Sequence, residues 1–204
     1  MPVKKARKTK EMAVAQNAQP PRARILSAAH DLFYHQGIRA VGVDLVAASA
    51  ETNKMTLYRH FDSKDALVAE YLQEVATEIE ASWDRLAITH ADDPKGHILA
   101  WLAETGRQME RPGSRGCPIT NAAIELPEPD HPGRAVIEAH KRGMRKRFAA
   151  RCRAAGLKDA EMIADQLVML LDGAGVAMQT IGLKGPVASL LRHAEWLLGA
   201  GSSR

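Results

Sequence analysis

Short runs of helical periodicity, separated by Pro and Gly, extend over most of this sequence. In the first run, five apolar residues recur at i, i+3, i+4, i+7 and i+8 and share one face of a helix: Ile25, Ala28, Ala29, Leu32 and Phe33. The chain has 34 alanines and only 4% aromatic residues, and Leu, Ala, Arg and Glu outnumber Val, Ile and Thr. A sandwich or barrel needs many β-branched and aromatic positions, whereas this composition favours helices. We therefore predict an all-α fold.

The positions of Pro, Gly and capping residues predict where the helices begin and end. Ser63 can cap the helix that follows it, and Pro94 stands at the favoured first position of another. The predicted helices cover about residues 22–36, 43–50, 54–61, 64–89, 94–110, 118–126, 133–155, 159–181 and 186–198. The helix over 159–181 is apolar almost all round, so we expect cover on more than one side. A second copy of the chain is the expected second cover.

Positive charge is concentrated near the N-terminus. Residues 1–64 contain 11 Lys and Arg against 5 Asp and Glu, a net charge of +6, whereas residues 65–204 contain 17 against 19, a net charge of −2. This asymmetry predicts that the first third meets a polyanion and that the remainder has another role. Residues 1–21 hold a basic cluster and few large apolar groups, so we predict a mobile tail, either without function or touching phosphates.

Two isolated cysteines, Cys117 and Cys152, have no CxxC or Cys/His spacing around them. We therefore expect no structural zinc and no other cofactor, and two free thiols are typical of the reducing cytoplasm. No apolar run approaches the ~18 residues that a membrane span needs, and the basic N-terminus lacks the apolar segment of a secretory signal. The sequence predicts a cytoplasmic protein with no membrane partner.

Residues 43–61 have the dimensions of a helix-turn-helix, because a three-residue break, Glu51-Thr52-Asn53, separates two short helices. In such a motif the first helix crosses the duplex backbone and the second enters the major groove. Leu57 and Phe61 are spaced to face the core. The residues left for the outer surface can reach phosphates, base edges or a thymine methyl: Lys54, Met55, Thr56, Tyr58, Arg59 and His60.

Two longer motifs extend this observation. Arg24-Ile25-Leu26-x-Ala28-Ala29-x-x-Leu32-Phe33-x-x-x-Gly37 is followed by Thr56-Leu57-Tyr58-Arg59-His60-Phe61-x-Ser63-Lys64-x-x-Leu67. Together they resemble the N-terminal domain of the TetR/AcrR family of transcriptional regulators. Residues 69–204, with Gly116-Cys117-Pro118 and two apolar final helices, resemble the C-terminal domain of that family. The expected organisation is a basic tail over 1–21, a helix-turn-helix DNA-binding domain over 22–68 and an effector-binding and dimerisation domain over 69–204.

The resemblance implies roles for individual residues. Lys54, Met55, Thr56 and Tyr58 would lie nearest the bases, and His60 and Lys64 would hold the DNA backbone. Three positions depart from the family pattern: Glu51 stands at the usual turn glycine, Gly42 at the usual phosphate-binding Thr, and Met55 at a common Gly. The resemblance also implies a homodimer on a palindromic operator of double-stranded DNA, with a small-molecule effector in the C-terminal domain. Repression is the expected outcome of binding, and activation is the alternative.

The inward stripes of the helices over 64–155 are apolar with few polar groups, which is typical of a small-molecule pocket. The predicted lining is Trp83, Trp101, Met109, Cys117, Asn121, His140, Met144 and Phe148. We expect a mostly hydrophobic, neutral or weakly polar effector, oriented by His140 and Asn121. The alternative is that these residues close into a solid core, with His140 as a satisfied core histidine.

The two final helices are expected to form a four-helix interface with their symmetry mates. The candidates for this interface, or for the core behind it, are Leu171, Ala174, Met178, Leu190, Ala194 and Leu197. Seven Lys and Arg between 141 and 153 are interpreted as a solvated face, although a second nucleic-acid surface or the mouth of an acidic-ligand site is an alternative. No nucleophile motif frames the Ser, His and Asp residues. We therefore expect no enzyme; the alternatives are a small all-α enzyme that uses Cys117 and His140, or a helical adaptor that binds only protein.

Overall fold

The structure, a computed structural model, describes residues 19–185 and 187–200. The predicted tail therefore lies almost wholly outside the described residues. Within these ranges every regular element is an α-helix, in agreement with the predicted fold class. The helices are α1 (Pro21–Gln36), α2 (Val43–Ser49), α3 (Lys54–His60), α4 (Lys64–Thr89), α5 (Pro94–Met109), α6 (Pro118–Glu125), α7 (Pro132–Ala154), α8 (Ala160–Ile181) and α9 (Leu190–Ala200). The chain divides into two compact units between Tyr71 and Leu72, inside α4. None of the described helices is long and apolar enough to cross a lipid bilayer.

In the first unit, α1 packs against both α2 and α3. The predicted apolar face of α1 supplies its core contacts, since Ile25 is 0% exposed and Phe33 is 3% exposed. The helix ends at Gly37, whose φ of 90° suits glycine and whose N–H bonds to the Phe33 carbonyl. α4 begins after Ser63, and the Ser63 hydroxyl accepts a hydrogen bond from the Ala66 N–H at 3.0 Å. The predicted cap is therefore present.

In the second unit, α7 and α8 form the most extensive helix pair among the described residues, and α5 packs against both. α9 packs on α5 and α8. The core of this unit includes Trp83 of α4, Trp101 of α5 and Phe148 of α7. At the start of α5, the Asp93 carboxylate accepts a hydrogen bond from the Gly96 N–H at 2.8 Å. The Asp-Pro start that the sequence predicts for this helix is thus confirmed.

The last helix begins at Leu190, whereas the sequence predicts a start at 186. Gly185 has a φ of 77°, and its carbonyl accepts from the Ser189 N–H at 3.0 Å. The Leu190 N–H bonds to the Val187 carbonyl at 3.1 Å, three residues back. Residues 187–189 are therefore a turn that precedes the helix, and the prediction placed the start too early. The other eight helices lie within one residue of their predicted bounds.

Candidate nucleic-acid interface and effector region

The α2–α3 pair forms a helix-turn-helix around a tight turn. Val46 and Ala47 of α2 and Leu57 of α3 are buried and join the two helices to the core of the first unit. The turn is held by the Thr52 N–H, which bonds to the Ala47 carbonyl at 2.9 Å. Glu51 is the only described residue other than glycine with a positive φ, at 50°. The turn therefore has the left-handed geometry that glycine supplies in the family pattern, although a glutamate occupies it.

The first turn of α3 is fixed by its own cap. The Asn53 side chain accepts a hydrogen bond from the Thr56 N–H at 2.9 Å. Lys54 and Met55 then face outward: the Lys54 side chain is 50% exposed, and Met55 is 76% exposed. One turn later Tyr58 is 42% exposed. This exposed N-terminal part of α3 presents an ammonium, a thioether and a phenol, a set that can contact base edges, thymine methyls and phosphates.

The remaining predicted DNA contacts differ in their exposure. Arg59 is exposed, whereas Thr56, His60 and Lys64 are half-buried. The His60 Nε2 is shielded from solvent and has no hydrogen-bond partner among the described residues. The Lys64 Nζ donates to the Ile38 carbonyl at 2.7 Å. Lys64 thus fastens α4 to the segment after α1, and its ammonium keeps two further N–H groups.

One residue of this surface does not appear among the sequence-based candidates. Asp44, in the first turn of α2, pairs with Lys54 at 3.2 Å between Oδ2 and Nζ. The Asp44 side chain is 76% exposed, so the pair lies on the outer surface of the helix-turn-helix. A helical wheel of either helix alone cannot reveal a contact across the turn.

Half of the predicted effector lining forms a single buried cluster in the second unit. Trp83, Trp101, Met144 and Phe148 belong to it. Trp83 and Trp101 meet Phe148 edge-to-face, with ring centroids 5.3 and 5.7 Å apart. The Trp101 indole N–H donates to the Ser82 hydroxyl at 3.0 Å. These rings therefore pack directly against one another inside the second unit.

Another part of the predicted lining converges on Gly175 of α8. A Cβ atom on Gly175 would lie 3.9 Å from the Cys117 backbone nitrogen and 4.0 Å from the Met109 methyl carbon. Asn121 donates to the Arg115 carbonyl at 2.7 Å and accepts from the Gln179 amide at 2.9 Å. The structure therefore brings Met109 and Cys117 together and fixes the orientation of the Asn121 side chain.

His140 is buried next to charged residues. It is 6% exposed, and its Nδ1 has no partner among the described residues. Burial, with the neighbouring Lys141 and Arg147 charges, lowers the pKa of His140 to about 4. Lys141 pairs with Asp172, and the Thr120 hydroxyl donates to the same carboxylate at 3.0 Å. His140 is therefore a neutral imidazole at pH 7 with one unsatisfied ring nitrogen.

The other cations of α7 are largely used in ion pairs with carboxylates. Arg145 bonds to Asp165 and to Glu161, and Arg153 also bonds to Glu161. Arg147 pairs with Asp84 of α4 at 2.6 Å. These pairs favour the interpretation of this basic run as a solvated, ion-paired face over a second nucleic-acid surface.

The predicted dimer residues divide into two groups. Ala174, Leu190 and Ala194 are 3%, 2% and 0% exposed in the single chain, so they belong to the core behind any contact surface. Leu171, Met178 and Leu197 are half-buried. The exposed large apolar side chains of α8 and of the segment after it, including α9, are a different set: Met162, Met169, Val176, Ile181, Leu183, Leu191 and Trp196. The sequence held a signal for three of them, because Met162, Met169 and Val176 are spaced by seven residues.

Comparisons with known proteins identify the class to which this arrangement belongs. Residues 25–71 match the family model described as bacterial regulatory proteins, tetR family. The solved structure of SCO4454, a TetR-family transcriptional regulator from Streptomyces coelicolor, is 32% identical with a TM-score of 0.83, and the match covers 90% of this chain and 96% of that one. The HTH-type transcriptional repressor Rv3405c of Mycobacterium tuberculosis is 32% identical over 105 residues, 52% of this chain and 53% of the relative. This chain spans about half the length of the curated relatives it matches first.

The fold and the exposed face of α3 define a helix-turn-helix regulator. The match to SCO4454 extends over both units and nearly the whole of that chain. The chain belongs to the TetR family of transcriptional regulators, which are not enzymes.

Proposed function

We propose that this protein is a ligand-responsive repressor, which binds a palindromic operator as a homodimer and leaves it when a small, mostly hydrophobic effector binds. The observation that carries the proposal is the helix-turn-helix, whose core-facing residues are buried while Lys54, Met55 and Tyr58 of α3 stay exposed. Regulators of this family bind DNA and ligands and act as dimers, and one relative is named a repressor. Binding to the chromosome would place the protein in the cytoplasm.

The exposed apolar side chains of α8 and α9 support the dimer. Met169 is 65% exposed and Trp196 is 68% exposed. Exposed large apolar side chains on adjacent helices are typical of protein contact surfaces. In a two-fold dimer each copy carries one α3 helix, and two half-sites of opposite orientation would then form a palindrome.

The state of His140 supports an effector that is neutral or weakly polar. A buried ring nitrogen without a hydrogen-bond partner costs free energy, and a ligand hydroxyl or carbonyl that bonds to it removes that cost. A charged ligand group would gain little from a neutral imidazole, and Lys141 is already paired with Asp172. We therefore place the polar end of the effector at His140, with Asn121 as the second polar group and Met109 and Cys117 beside the apolar part.

The test of DNA recognition is selection of bound sequences from a pool of random duplexes. We expect enrichment of a palindrome and a binding constant that falls steeply with salt. Met55→Ala should weaken binding to the selected duplex, whereas Ile124→Ala, which truncates a side chain that is 70% exposed in the second unit, is the matched control and should not. No enrichment, or binding that is independent of salt, contradicts the proposal.

The selected duplex also supplies the tests of regulation and of the effector. Placed upstream of a reporter, it should lower expression when the protein is present; a rise instead identifies an activator. Apolar compounds can then be screened for release of the duplex from the protein. His140→Leu should bind the duplex as the wild type does but should need more compound for release. A variant that loses stability and DNA binding together marks His140 as a core residue only.

A further inference from the structure

The Asp44–Lys54 pair joins the two helices of the helix-turn-helix at the surface where DNA is expected. The carboxylate comes from the first turn of α2 and the ammonium from the first residue of α3, at 3.2 Å. Both side chains are well exposed, at 76% and 50%. A carboxylate in the first turn of a helix favours that helix, but an exposed ion pair contributes little to folding stability, so stability does not account for the pairing of Asp44 with Lys54.

A carboxylate on a DNA-binding surface has an unfavourable interaction with phosphates unless a cation compensates it. Lys54 provides that compensation, and in return Asp44 restricts the flexible lysine side chain. An unrestrained lysine next to a duplex binds the nearest phosphate as a point charge, which carries no sequence information. A lysine held by a carboxylate has its charge neutralised and keeps two N–H donors for other acceptors.

We propose that Asp44 is a positioning residue for base recognition, which holds the Lys54 ammonium away from the phosphates and directs it to a base. This inference rests on the proposed entry of α3 into the major groove. Two remaining donors fit a base that offers two acceptors there, and the O6 and N7 atoms of guanine are that pair. Lys54 then reads one guanine in each half-site, with a fidelity that depends on Asp44.

The test compares the wild type with Asp44→Asn and with a matched control. Asp31→Asn removes the same charge from a side chain of the first unit that is 74% exposed, but it leaves the Lys54 pair intact. Each protein is titrated against three duplexes of equal length: the one that the wild type selects from the random pool, the same duplex with its guanine replaced, and an unrelated sequence. Titrations are repeated over a series of salt concentrations, and circular dichroism verifies that each variant is folded.

The freed Lys54 of Asp44→Asn should acquire a phosphate contact. Its binding to the unrelated duplex should become about five- to tenfold tighter near 0.1–0.15 M salt, and the salt slope should steepen by about 1. Discrimination against the replaced guanine should fall at least about fivefold. Asp31→Asn should match the wild type in both measurements. In a Lys54→Ala background, Asp44→Asn should leave base preference unchanged.

Three results overturn the inference in different ways. If Asp44→Asn behaves as Asp31→Asn does while the wild type selects a palindrome, the pair has no role in recognition and the proposed function stands. If Asp44→Asn still alters base preference in the Lys54→Ala background, Asp44 contacts a base directly and does not act through Lys54. If the wild type selects no sequence, the proposed function and this inference fail together.

Discussion

Replacing His140 with leucine should remove a defined part of the acid sensitivity of this protein. The buried imidazole of His140 has its pKa lowered from 6.5 to about 4. The folded state therefore keeps His140 neutral between these values, while the unfolded chain binds a proton there, so the free energy of unfolding falls as the pH falls below about 6.5. Between these two pKa values the free energy of unfolding falls by about 3 kcal/mol in total. About 2 kcal/mol of this is lost by pH 5.

The assay is urea denaturation at pH 7.5 and pH 5.0, at one fixed protein concentration because a dimer's stability depends on it. Burial also lowers the pKa of His97, so wild type and variant must be compared at both pH values. We expect the loss of stability between the two pH values to be about 2 kcal/mol smaller in His140→Leu. Met144→Leu is the control. It replaces a buried side chain one turn away from His140 by one of similar volume, and neither side chain titrates. This variant should keep the full pH dependence of the wild type. Equal pH dependence in wild type and His140→Leu would refute the assignment of a buried neutral imidazole.

Three other substitutions test the DNA contacts, the dimer face and the turn. Lys64→Ala should weaken binding to all duplexes about equally and lower the salt slope by ~1, whereas Lys54→Ala should alter sequence preference; titrations over a salt series that give the same profile for both would contradict these roles. Met169→Arg should yield folded monomers in sedimentation experiments, because Met169 is 65% exposed. Ala174→Arg should yield unfolded or insoluble protein, because Ala174 is only 3% exposed. Dimers of Met169→Arg would reject this face as the dimer interface. Glu51→Gly should raise the free energy of unfolding by about 1 kcal/mol in urea denaturation, since it relieves a left-handed residue with a Cβ atom, and a loss of stability would show that the glutamate side chain compensates the strain.

Most of the fold could be predicted because local signals agree with one another along this chain. Pro94 and the Asp93 cap specify the start of α5, and Ser63 specifies the start of α4. The sequence predicts too early a start for α9, because a proline fits the first position of a helix as well as it fits a turn. In the structure the Gly185 carbonyl accepts a hydrogen bond from the Ser189 N–H, which forms a turn before the helix. Periodicity alone does not distinguish such a turn from a first helical turn.

The candidate sites were less predictable because they depend on contacts between helices. The periodicity of α3 leaves Lys54 and Met55 on its surface, and the structure places both there. Periodicity cannot show that Asp44 reaches Lys54 across the turn, or that the Lys64 ammonium is bonded to the Ile38 carbonyl. The identity of a side chain sets what it can bond to, but its partner depends on the packing of another element.

The small residues of α8 lie on two different sides of the helix. At about 100° per residue, Gly173 and Gly175 lie on nearly opposite sides of the helix. Gly175 is buried and approaches its own chain so closely that a Cβ on Gly116 would lie 3.0 Å from the Gly175 carbonyl oxygen. A Cβ on Gly173 would meet no described atom within 4 Å, and Met169 and Val176, on the same side, are exposed. Close approach at Gly175 thus serves the subunit's own core, whereas Gly173 is the position at which a second copy of the chain could come close to the backbone.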